Sequence, residues 1–203
     1  MLTIDLKKQW RDIYKPSADE VGFVEVPGFH YLMADGEGDP NGSASFAEAT
    51  HALFTLSYTL KFMVKRGERK IDYSVMPLEA LWWADNPEDF LLERRDRWKW
   101  TLMVVQPDFI TADDVEQASE EVRRKKKHEG QERVRFEHFV EGPSAQILYV
   151  GPYAAEGSTI ARMHQAIAAA ERQPRGHHHE IYLSDMRRTA PEKLKTILRQ
   201  PVS

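Results

Sequence analysis

The chain has 203 residues, 41% of them apolar and 30% charged, with a formal net charge of −4 and no cysteine. That is enough material for one large domain with a substantial core, and it excludes disulfides, a thiolate nucleophile and a cysteine-ligated zinc site. The acidic balance speaks against nucleic acid, whose phosphates are bound by clustered Lys and Arg. No apolar run reaches the ~18 residues of a membrane helix, and the opening MLTIDLKKQWRDIYKP lacks the apolar centre of a signal peptide, so neither a membrane partner nor export is expected and the expected location is cytoplasmic.

After a polar start, FVEVPGFHYLMADGEGDPNG reads as a strand running into a turn. A helix is predicted over 45–65. Phe46, Leu53 and Leu60 fall on one stripe and Ala49, Leu56 and Met63 on its neighbour, and Ser43 or Ser45 can cap it. Phe54, Tyr58 and Phe62 recur every fourth residue beside that core stripe, which makes Tyr58 a candidate ligand contact. DYSVMPLEALWW and RWKWTLMVVQPDFI have strand composition and are joined by a charged loop over 86–96, as in an antiparallel pair. Thr111 and Asp114 form a capping-box pattern that opens a charged helix reaching about His128 and Gly130. The basic run Arg123-Arg124-Lys125-Lys126-Lys127 closes that helix, where cations complement the helix dipole, and reads as a solvated helix end.

The second part repeats the order: a strand in VRFEHFVEGPSAQILYV, a Gly151-Pro152 turn, a helix over 158–171, a Pro-Gly break and the strand HHEIYLS. Thr189-Ala190-Pro191-Glu192 then starts a short helix before a last segment, TILRQPV. The reading is an α+β fold of tandem duplicated strand–helix–strand–strand (SHS2-like) repeats, with antiparallel sheets around a central ligand cleft. The expected organisation is one domain over 1–203, with halves at about 20–110 and 132–203 and a charged helical connector over about 111–130. Two half-sheets related by a pseudo-twofold create a crevice between them, and ligand sites favour such junctions.

Strand alternation sends Glu180 and Tyr182 to one face of HHEIYLS and His179, Ile181 and Leu183 to the other. Glu79 repeats the pattern in the first half, sharing a face with Leu81 and Trp83, as a pseudo-symmetric partner of Glu180 or an ion pair ordering the sheet. Trp82, Trp83, Trp98 and Trp100 cluster on neighbouring strands. Flat aromatic walls suit planar polycyclic ligands, and Trp83 and Trp100 are the expected ligand-binding members. His177-His178-His179 does not make a metal site, because consecutive strand residues point alternately up and down. No phosphate loop, Ser-His-Asp order or dinucleotide fingerprint occurs, so no metal and no cofactor is expected.

MPLEALWW (76–83), GPYAAEGSTIARMHQAI (151–167) and HHEIYLSDMRRTAPEKLKTILRQPV (178–202) resemble the GyrI-like small-molecule-binding superfamily over nearly the whole chain. That superfamily is similar to the effector-binding domains of multidrug-responsive MerR-type and AraC-type regulators. With no residues left for a helix-turn-helix, a stand-alone member is implied. The double-tryptophan strand resembles a subgroup that hydrolyses cyclopropane-bearing DNA-alkylating compounds. The resemblance implies that Glu180 is the acidic residue at the bottom of the pocket.

Such a carboxylate among aromatic rings attracts lipophilic cations and, once desolvated, suits general acid or base work. Three functions follow. One is a hydrolase in which Glu180 activates water and Tyr182 donates a hydrogen bond to the ligand. A second is a protein that sequesters lipophilic or cationic planar aromatic compounds without turnover. The third is a protein partner resembling a topoisomerase inhibitor.

Overall fold

The computed structural model describes residues 2–86, 88, 89, 94–125 and 133–203. Two long strands dominate it, β2 (Gly22–Glu37) and β6 (Arg135–Val150), and each leads through a turn into a helix. After β2 come α3 (Ala44–Arg66), a short β3 (Ile71–Tyr73), β4 (Glu79–Trp83) and β5 (Lys99–Gln106). After β6 come α5 (Gly157–Ala169), β7 (His178–Tyr182) and β8 (Lys195–Pro201). Between the halves lies α4 (Ala112–Arg124). Lys126, Lys127, His128 and Gly130, the expected end of that helix, lie outside the described residues, as do parts of the loop expected over 86–96.

The strands pair in the order β2–β5–β4–β7–β8–β6 and close into a barrel. Each half contributes a long strand, its last strand and its middle strand in the same sequence, and the halves meet at two antiparallel seams, β4–β7 and β2–β6. The α+β architecture and the repeated order agree with the sequence reading. The two half-sheets are joined along both edges instead of merely flanking a cleft, and closure leaves no barrel strand with an unpaired edge.

Local chemistry explains the helices. The Ser43 hydroxyl accepts from the Phe46 N–H at 3.4 Å and starts α3, whose Leu53, Leu56 and Leu60 are buried against the barrel. Thr111 and Asp114 form a reciprocal capping box on α4, which buries Val115, Ala118 and Val122. On α5, Met163 and Ile167 pack on Ala145, Ile147 and Leu198 of the outer barrel wall. Pro191–Lys193 forms a single 3-10 turn without a side-chain cap instead of the capped short helix expected there.

The barrel interior is polar as well as apolar. Antiparallel partners share a face, so Glu79 and Ile181 lie together, as do Leu81 and His179, and Arg199 lies beside His179. Imidazole atoms of His179 stand 2.8 Å from Glu141 and 3.0 Å from Glu79. Arg199 donates to Glu141 and Gln146 at 3.0–3.1 Å and to the Ile13 carbonyl at 3.0 Å. Glu141 and Gln146 are five residues apart, a spacing that a regular strand would send to opposite faces. Gly142 between them has φ 74°, a left-handed conformation that favours glycine, and lets β6 turn both side chains toward Arg199.

The polar start of the chain is structured. It forms β1 (Leu2–Ile4), parallel to β3, and two short helices, α1 (Leu6–Gln9) and α2 (Arg11–Tyr14). The buried Tyr14 donates to Glu79 at 2.9 Å, so this segment closes over the network.

Candidate functional site

A cleft of about 1870 Å³ lies on the outside of the barrel, above the β4–β7 seam. Along one wall runs α3, presenting Phe46, Phe54, Tyr58 and Phe62. Trp82, Glu180 and Tyr182 come from the seam, Trp98 from the approach to β5, and Tyr153 and Glu156 from the turn before α5. The outward direction of these strand residues follows from register. Ala80 is the partner of Glu180 and Trp82 of His178, and Trp82 stacks on Phe46 with ring centroids 6.0 Å apart and planes at 16°.

A directed chain of hydrogen bonds crosses the floor. The Trp82 indole N–H donates to the Tyr182 hydroxyl at 3.1 Å, and that hydroxyl donates to Glu180 Oε2 at 2.7 Å. His178 Nε2 stands 3.5 Å from Glu180 Oε1, and Glu156 lines the same cleft.

Burial alone would raise the pKa of Glu180, but its contacts with His178, Tyr182 and Glu156 outweigh that and hold it below the ordinary carboxylate value. Glu156 moves the other way: burial, followed by the charge of Glu180, pushes it up to about 9. Burial and the Glu180 charge also raise Tyr182 and Tyr153. Burial and the charge of Glu180 thus both oppose the ionisation of Glu156.

Of the residues expected at the site, Glu180, Tyr182 and Tyr58 line this cleft. The hydrogen of Tyr182 is directed at Glu180, so Tyr182 orients the carboxylate instead of donating to a ligand as expected. Glu79, Trp83 and Trp100 lie elsewhere. Glu79 is fully buried inside the barrel with His179 and Tyr14. Trp83 follows Trp82 in the strand, points to the opposite face, and stacks on His177 at 4.4 Å. Trp100 is buried beneath Phe46, with its ring lying directly over Gly36. A Cβ at position 36 would stand 2.1 Å from that ring, so only glycine permits the approach.

The tryptophans on the cleft wall are Trp82 and Trp98, the other member of each expected pair. The three consecutive histidines go three ways: His177 to Trp83, His178 to Glu180 and His179 into the barrel.

Sequence reasoning assigned no role to Glu156. An acid just before a helix reads as a cap, yet Glu156 makes no capping hydrogen bond. Its position after Tyr153, in a segment carrying the family resemblance, was the available signal.

A family model for the GyrI-like small-molecule-binding domain matches residues 19–203. The chain belongs to the GyrI-like family. A crystal structure of an uncharacterized conserved protein from Listeria innocua is similar to this GyrI-like chain at 41% identity, covering 98% of this chain and 100% of that one with a TM-score of 0.91. A structure described as a hydrolase from Listeria innocua is similar at 40% identity, covering 99% and 100%, with a TM-score of 0.89. The C-terminal domain of EcmrR shares the GyrI-like fold at 11% identity, covering 91% and 97%, with a TM-score of 0.54. Among curated proteins none matches the chain. No helix among the described residues is long and apolar enough to cross a membrane.

Proposed function

We propose that this GyrI-like protein binds lipophilic planar aromatic molecules in the cleft and hydrolyses those that carry an activated cyclopropane. The observation that carries the reading is Glu180, a largely buried carboxylate that accepts from Tyr182 and lines the cleft together with Trp82, Tyr182 and Tyr153. The description of a 40% identical neighbour as a hydrolase supports it.

In this reaction Glu180 takes a proton from a water molecule whose oxygen bonds to a ring carbon. The strained C–C bond breaks, its electron pair moves into the conjugated carbonyl, and that oxygen gains a proton. Tyr182 and Trp82 fix the carboxylate's direction, so no reorganisation accompanies proton transfer. The same charge among aromatic rings also suits the second reading, in which cationic aromatic compounds are sequestered without turnover.

Mass spectrometry separates the two after incubation of the protein with an aryl-conjugated cyclopropyl ketone. A product heavier by one water supports hydrolysis. Unchanged compound that co-elutes with the protein supports sequestration.

The aromatic walls give a separate expectation. Trp82→Ala and Trp98→Ala each weaken binding of a planar aromatic ligand by about 0.5–1.5 kcal/mol, the worth of a ring contact. Trp100→Phe instead lowers stability by about 0.5–3 kcal/mol and leaves affinity unchanged. Fluorescence titration and urea unfolding of the three variants check this, and an affinity loss confined to Trp100→Phe would reverse the assignment.

A further inference from the structure

His178 is a buried titratable group that the reaction above leaves unused. It shares a face of β7 with Glu180 but lies off the cleft wall, with its side chain 10% exposed. Neither imidazole nitrogen has a hydrogen-bond partner among the described residues, and the charge that His178 faces is the Glu180 carboxylate, 3.5 Å away. The neighbours on that face of β4 and β8, namely Ala80, Trp82, Leu198 and Thr196, carry no charge. From α5, His164 lies within electrostatic reach of His178, and a second imidazole can add positive charge there but cannot neutralise any. A side chain off the cleft wall meets a ligand only through Glu180.

We propose that His178 is a specificity-determining residue that acts through Glu180: its protonation offsets the carboxylate charge and turns the cleft from cationic toward neutral planar aromatic ligands. This rests on the binding part of the reading above and is independent of turnover. An imidazole ordinarily changes charge between about pH 5 and 8. In the upper part of that range a neutral His178 leaves Glu180 uncompensated, and a ligand cation held against Trp82 and Tyr182 gains the full attraction of the carboxylate. In the lower part the imidazolium pairs with Glu180, so the cation loses most of that attraction while a neutral ligand keeps its affinity. Preference for the cation therefore rises with pH. By linkage, a bound cation weakens the hold of His178 on its proton to the same extent.

Glu156, Asp185, Glu121 and Arg95 also line the cleft, as does the imidazole of His51 on α3. These groups are the same in wild-type protein and in a His178 variant, so the comparison of the two isolates His178.

The probes are N-methylquinolinium, whose charge is permanent, and its neutral isostere methylnaphthalene, each titrated by tryptophan fluorescence between about pH 5 and 8. In wild-type protein the affinity ratio is expected to shift toward the cation by roughly 5- to 50-fold across that range. His178→Gln, neutral throughout, holds the ratio flat at the wild type's alkaline value, whereas His51→Gln keeps the wild-type slope. A flat ratio in wild-type protein, or the wild-type slope persisting in His178→Gln, overturns the proposal and leaves the binding reading standing. Failure of both probes to bind wild-type protein removes both. Proton release tests the same claim without a variant. Calorimetry of wild-type protein near pH 6.5, in buffers of different ionisation enthalpy, is expected to show protons released on binding the cation and none on binding methylnaphthalene. A cation that binds without releasing protons overturns the proposal.

Discussion

Glu180→Gln is expected to bind neutral aromatic ketones as the wild type does while turning them over roughly 10²-fold more slowly or worse. The amide keeps the shape of the carboxylate and can accept from Tyr182, but it takes no proton from water. The substitution also removes the charge that, after burial, does most to keep Glu156 protonated. A cationic aromatic ligand separates the readings. If Glu180 serves only as a counter-charge, the variant loses cation affinity and any slow hydrolysis persists. Wild-type turnover together with wild-type cation binding would remove Glu180 from both mechanisms.

The pH profile of the wild type adds a second check. Glu180 is held below the ordinary carboxylate value, so the acid limb should fall below about 4.5, and Glu156 loses its proton as pH rises through about 9, setting the alkaline limb. Because the charge of Glu180 acts on Glu156, these limbs belong to the pair.

Arg199→Met is expected to destabilise the fold by about 3–5 kcal/mol, the usual cost of breaking a buried pair by removing one partner. Against a total stability of about 5–15 kcal/mol this is a large fraction, and urea unfolding would measure it. The loss leaves the Glu141 carboxylate without its guanidinium, and the Gln146 and Ile13 carbonyls without donors, in a site closed to water. An Arg199→Met variant as stable as wild type would mean that the barrel interior relaxes around the missing charge.

The same network gives the wild type a pH signature. Burial opposes the charge on Glu141, but His179 and Arg199 lower its pKa to about 2, so its contribution is full above about 4.5 and lost as pH falls toward 2. For His179, burial is outweighed by Glu141 and Glu79, and its pKa rises to about 9. Its contribution is full below about 6.5 and lost as pH rises through 9.

What the sequence disclosed was local. The period and cap of α3, the Thr111 capping box and the alternation that sends Glu180 and Tyr182 the same way are set by neighbours a few residues apart, and all agree with the structure. Glu79 shows where such reasoning stops. Its likeness to Glu180 suggested equivalent places, but across the seam Glu180 is paired with Ala80, and an offset of one residue puts Glu79 on the opposite face. Choosing Trp82 over Trp83 required knowing which side of the sheet α3 covers. Glu141 was hidden because Gly142 breaks the alternation used to read the strand. The opening helices have only four residues each, too short to hold without tertiary partners such as Glu79 and Arg199.

The two seams have a kinetic meaning as well. Trp82 pairs with His178, and Gly22 with Gln146, residues far apart in the chain, whereas β4 meets β5 and β7 meets β8 within their own halves. Bringing distant segments together costs loop-closure entropy before any contact repays it, so the intra-half ladders have the lower contact order and the seams the higher. The cleft lies over one of these long-range junctions, and its walls come from both halves. A ligand spanning α3 and β7 therefore acts as a non-covalent cross-link between two folding units, and part of its binding free energy resists their separation.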